Sequence, residues 1–117
     1  MSQSNRLYDI LEANEDSILL KMNEDHPVYQ GHFPGDPITP GVLTLRMIRE
    51  CVSRDAGRPL HYSAIKTCRY VALIRPGDTL RLHRQTTNNE DSLTVKATLS
   101  NADNPEDIRL QLDAEMR

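Results

Sequence analysis

The segment Gly31-His32-Phe33-Pro34-Gly35-Asp36-Pro37-Ile38-Thr39-Pro40-Gly41-Val42-Leu43 constrains this chain more than any other. It gathers prolines and glycines around one histidine and then runs straight into a helical pattern. Each proline fixes φ and lacks an N–H, so neither a helix interior nor a central strand can contain the run. A loop is therefore expected over 26–40, with His32 held on a shaped turn. Thr39-Pro40 reads as a helix start, because Thr caps free N–H groups and Pro suits the first helical position.

The helix is expected from Pro40 to about Asp55. Val42, Leu45, Ile48 and Val52 recur at helical spacing, and Leu43, Met47 and Cys51 widen the stripe. So apolar a surface calls for a sheet wrapped around it. Gly57 and then Pro59 end the helix. Upstream, 7–13 carries a weak signal for a short strand or turn, and 17–23 suits a partly buried strand. Beyond Pro59 the period changes to two. A long strand is expected over 62–74, ended by Pro76-Gly77-Asp78. Leu80 and Leu82 alternate through the next strand, Leu93, Val95, Ala97 and Leu99 through a third, and Ile108, Leu110, Leu112 and Ala114 through the last. Turns are expected at 88–91 and 101–107. The reading is α+β: one long helix on a curved antiparallel sheet, as a single domain over 1–117.

With 117 residues, 4% aromatics and no Trp, the core must be aliphatic, and self-association is expected to add burial. The net charge of −3 argues against a nucleic-acid binder. Residues 46–84 nevertheless hold most of the Lys and Arg, which suits an anionic partner. Cys51 and Cys68 have no ligand spacing and read as reduced thiols. His26, His61 and His83 form no metal pattern with either cysteine or with acidic residues, so no metal is expected. The first ten residues lack the apolar run of a signal peptide, and no segment reaches transmembrane length. The cytoplasm is the expected compartment, with no membrane contact.

These motifs bring a family into view. GHFPGDPITPGVL resembles the signature of the β-hydroxyacyl-acyl-carrier-protein dehydratases, and YVALIRPGDTLRL over 70–82 resembles their strand–Pro-Gly-Asp–strand segment. The resemblance implies the hotdog fold, a central helix wrapped by an antiparallel sheet. It also implies a homodimer or an oligomer of dimers, and a substrate delivered as a phosphopantetheine-linked acyl chain on acyl carrier protein. It places the histidine of the site at His32 and the amide that polarises the thioester carbonyl at Gly41; Val42 reads as core or as wall of the substrate tunnel, and Arg46 as a substrate-binding pocket residue or as a surface partner of Glu50. The helical acid of the family should fall five residues after that glycine. Here that position is Arg46, and the next turn carries Glu50.

The chemistry explains why this departure matters. Removing water from a 3-hydroxyacyl thioester takes a proton from C2 and the hydroxyl from C3. A neutral imidazole near its ordinary pKa suits the first step, and N–H groups at a helix start stabilise the enolate-like oxygen. The leaving hydroxyl needs a proton, and a guanidinium is a poor donor. Three readings stay open. Glu50, one turn beyond Arg46, supplies the acid. His32 works alone, with Arg46 acting electrostatically. Or the site is degenerate, and the chain binds acyl groups or serves a hetero-oligomer whose partner brings the acid. An acyl thioesterase is a further alternative. No cofactor is implied, and the pathway would be fatty-acid or other lipid synthesis.

Overall fold

Period-two alternation in the second half of the chain becomes a six-stranded antiparallel sheet. The computed structural model describes residues 6–31 and 35–117. Its strands are β1 (Tyr8–Ala13), β2 (Ser17–Met22), β3 (Tyr62–Tyr70), β4 (Thr79–Asn88), β5 (Leu93–Asn101) and β6 (Asn104–Met116), ordered β1-β2-β4-β5-β6-β3. Two helices precede β3: a single turn, α1 (Val28–Gly31), and the long α2 (Gly41–Ala56). This is the expected α+β architecture. The connection through α2 carries the chain from β2 to the far edge, so β3 and β4 are sequence neighbours at opposite sides of the sheet.

Register puts the apolar side chains in rows on one face. One row crosses the whole sheet: Ala13 faces Ile18, then Leu82, Leu99, Leu110 and finally Tyr70 on the edge strand. Ile18, Leu82, Leu99 and Leu110 are fully buried. Helix α2 covers this face with Thr44, Met47, Ile48, Cys51 and Val52, at the i, i+3, i+4, i+7, i+8 spacing of an apolar stripe. The core is aliphatic as expected, with Tyr29 its one buried aromatic among the described residues.

The structure corrects the sequence reading in six places. The expected loop over 26–40 contains α1, whose Val28 N–H donates to His26 Nδ1 at 3.0 Å and whose Tyr29 is buried. Helix α2 starts at Gly41, after an extended Pro40. Thr39 does not cap it; its hydroxyl shares a buried 2.7 Å hydrogen bond with Tyr29. Val42, expected in the apolar stripe, is 74% exposed, because the buried pairs Met47/Ile48 and Cys51/Val52 set the helix phase. Strand β3 stops at Tyr70 rather than Ile74: the N–H groups of Val71 and Ala72 both donate to the Arg109 carbonyl, which takes the chain out of the ladder. Lastly, the turn expected at 101–107 is only Ala102-Asp103, since Asn101 pairs with Asn104 and Asp103 N–H donates to Asn101 Oδ1.

The C-terminal end of α2 is tied down by polar contacts. Gly57 adopts φ 72°, and its N–H donates to Arg54 O, a left-handed cap that suits glycine. Arg84 continues the inward row of Leu80 and Leu82 on β4, yet it carries a charge. Its guanidinium donates twice to Asp55, at 2.8 and 3.1 Å, and once to the Asn14 carbonyl at 2.8 Å. Helix end, β4 and the β1–β2 turn are thus joined by one side chain.

Candidate active site

Gly41 opens α2 by placing the first helical turn against the sheet edge. The N–H groups of Leu43 and Thr44 donate to the Pro40 carbonyl. A Cβ on Gly41 would lie 2.8 Å from Cε1, Cζ and Oη of Tyr70. Space rather than φ favours the glycine: a side chain here would push the phenol of the edge strand off the helix start. Around this contact is an apolar cleft of about 590 Å³, lined by Thr39, Gly41, Val42, Tyr70, Leu73 and Ile74 among others. Its floor is anchored, because Thr39 N–H donates to Ile74 O at 2.8 Å. The following turn is held by Arg109, which donates to Leu73 O and to Asp78 Oδ2 at 2.9 and 2.7 Å.

Arg46 and Glu50 belong to a different recess. It also measures about 590 Å³ and is lined by Leu7, Tyr8, Ile10, Arg46 and Glu50 among others. Both side chains are half-exposed, and Arg46 Nε lies 3.8 Å from Glu50 Oε2. The other carboxylate oxygen of Glu50 accepts a 2.8 Å hydrogen bond from Tyr8. Burial, followed by its Cys51 and Glu50 neighbours, raises the Tyr8 hydroxyl well above the phenol range, so Tyr8 stays a donor. Along the helix axis Glu50 stands about 14 Å beyond Gly41. One chain therefore does not bring Glu50 to the cleft at the start of α2. His32, with Phe33 and Pro34, lies outside the described residues.

The remaining site expectations divide in the same way. Gly41 and Val42 meet at one cleft, while Arg46 and Glu50 meet at the other. Cys51 is buried within the helix–sheet core, and that burial pushes its thiol up to about 11, far from a nucleophile. The basic middle of the chain is largely spoken for: Arg46, Arg54, Lys66, Arg75 and Arg84 each face a carboxylate. Sequence reasoning missed Tyr8, Tyr70 and Arg84. Only Arg84 left a signal, as a charge continuing an apolar alternation. Among the described residues no cluster of three or more His, Cys, Asp or Glu could hold a metal, and no helix is long and apolar enough to cross a membrane.

Comparison with known proteins decides the family. The ApeI-like model, described as ApeI dehydratase, matches residues 10–106. The chain belongs to the ApeI-like dehydratase family. Within the wider dehydratases, it is 34% identical over 85 residues to the 3-hydroxyacyl-(acyl-carrier-protein) dehydratase FabZ of Lactiplantibacillus plantarum, covering 66% of this chain. The chain spans 58% of that relative's length. Among solved structures, an uncharacterized protein from Erwinia carotovora subsp. atroseptica superposes with a TM-score of 0.70 at 22% identity, over 93% of this chain and 90% of its own. The dehydratase heterocomplex ApeI:P from Xenorhabdus doucetiae gives 0.66 at 18% identity, over 90% of each chain. At these identities the two structures speak to the fold, which is the hotdog fold implied by the loop signature.

Proposed function

We propose that this ApeI-like protein removes water from 3-hydroxyacyl thioesters carried by acyl carrier protein, giving 2-enoyl thioesters. The observation that carries the reading is the apolar cleft opening at Gly41 in a chain of this family. In this reading the thioester carbonyl docks on the amide of Gly41, where helix-start N–H groups stabilise developing negative charge. The acyl chain follows Val42 and Leu73. His32 takes the C2 proton, the C2–C3 double bond forms, and hydroxide leaves from C3 with a proton supplied by Glu50 of a second copy of the chain or returned by His32. Arg46 contributes positive charge to the neighbouring recess, not a proton.

The free edge of β3 supports a homodimer, since Ile65 on that edge strand and Val71 and Leu73 just past its end are exposed apolar residues. Pairing two copies there would bring the helix of one protomer toward the loop of the other. A second reading follows from Arg46 itself: the chain is one half of a hetero-oligomer whose partner brings the helical acid. The ApeI:P structure is named a dehydratase heterocomplex.

A 3-hydroxyacyl carrier substrate incubated with the purified protein should lose the mass of one water, and His32→Ala should abolish that loss. Equal rates for the wild type and His32→Ala would overturn the dehydratase reading. Turnover appearing only when a second hotdog protein with a helical carboxylate is added would favour the hetero-oligomer.

A further inference from the structure

Tyr70 is the side chain that the sequence reading left without a role and that the fold brings to the centre of the cleft. Three observations converge on it. Register places it at the end of the inward row Ile18–Leu82–Leu99–Leu110, so its ring points over the helix-bearing face rather than away from it. Its phenol end, Cε1, Cζ and Oη alike, lies 2.8 Å from the position of a Cβ on Gly41, so no other side chain at 41 fits without moving it. And it remains 56% exposed, so the hydroxyl is not sealed in the core.

The chemistry of that position is specific. A phenol is both donor and acceptor, and partial burial, then a hydrogen bond to the Cys68 thiol, raises its pKa above the ordinary value; a thiol is a weak acceptor, which a thioester oxygen can displace. Near neutral pH it therefore keeps its proton. Val42, Leu73 and Ile74 line the cleft beside it, and the polar lining is already engaged: Thr39 with Tyr29, Thr44 with the Pro40 carbonyl, and Arg109 with Leu73 O, Asp78 and Asp107.

We propose that Tyr70 is a substrate-contacting residue that donates a hydrogen bond to the thioester carbonyl oxygen docked at Gly41, acting as a side-chain donor beside the helix-start amide. This rests on the dehydratase reading. It adds a residue that stabilises the enolate-like oxygen, and it accounts for the glycine at 41, whose missing side chain lets the phenol reach the helix start.

The test is Tyr70→Phe, which keeps the ring on Gly41 and removes only the donor. With a 3-hydroxyacyl carrier substrate, kcat should fall about 100-fold with KM little changed, the size of effect expected for one oxyanion donor. The midpoint of thermal unfolding should stay where it is. A second readout does not need turnover. The carbonyl stretch of bound 3-hydroxyhexanoyl-pantetheine, carbon-13 labelled at the thioester, should lie at lower frequency in the wild type than in Tyr70→Phe. Equal kcat, or the same stretch in both proteins, overturns the role of Tyr70. If His32→Ala is inactive in that same experiment, the dehydratase reading survives. Failure of the wild type to bind the thioester at all overturns both.

Discussion

The two ends of helix α2 are built on opposite plans. At the C-terminal end a left-handed Gly57 closes the helix, and Arg84 fastens Asp55 to the sheet and to the Asn14 carbonyl. The Arg84 side chain is only 9% exposed. At the N-terminal end no side chain caps the helix, Val42 stands in solvent, and the main packing partner of Gly41 is a half-exposed phenol. One end holds the helix in place, and the other leaves the chain open around the cleft. Rigid placement at one end lets the other present a surface without the helix drifting.

The comparison makes predictions that can break it. The largest effect is expected for Arg84→Met, which leaves Asp55 next to the helix carbonyls without its bidentate partner. Stability in urea should fall by about 3 kcal/mol, the scale of losing charge-assisted hydrogen bonds from a buried guanidinium. A loss below about 1 kcal/mol would mean that the C-terminal end is not the anchored one.

A smaller effect belongs to the middle of the helix. Burial raises the Cys51 thiol from 9.0 to about 11. A raised folded value gives stability that is complete below the unfolded value and is lost as pH rises through the folded one. Stability should therefore decline between about pH 9 and 11, by about 1–3 kcal/mol. The half-buried Tyr8 and Tyr62 hydroxyls act in the same direction. Cys51→Ala should flatten this decline in denaturation curves taken across that range. An unchanged slope would show that the tyrosines carry it.

The smallest effect should be at the open end. Gly41→Ala puts a methyl group against the far end of Tyr70, which can swing into solvent, so stability should change by no more than about 0.5 kcal/mol. The Tyr70 ring resonances should shift in NMR spectra. A loss above about 2 kcal/mol would mean that Tyr70 is locked and that this end is held as firmly as the other.

Much of the fold was legible before any coordinates. Leu93, Val95, Ala97 and Leu99 alternate because one face of β5 meets the core and the other meets solvent. The density of proline across 27–40 forced the chain out of regular structure before α2, although the single turn of α1 hid there because one turn leaves no periodic trace. The site was legible only by type. The sequence points to His32, Gly41, Val42, Arg46 and Glu50 as candidates, and helix spacing already parts Gly41 from Glu50, but which strands and loops close a recess around each depends on the sheet.

The sequence by itself determined the helix and strands, the aliphatic core and the family signature, because those depend on local backbone restriction and on the period of apolar residues. Only the tertiary structure decided which distant side chains meet. Tyr70 is 29 positions from Gly41, yet the edge position of β3 lays its ring on that glycine. Arg84 finds Asp55 because β4 passes beneath the end of α2. Such contacts are set by strand order and register, which couple residues with no local relation, and no pattern read along the chain carries that information.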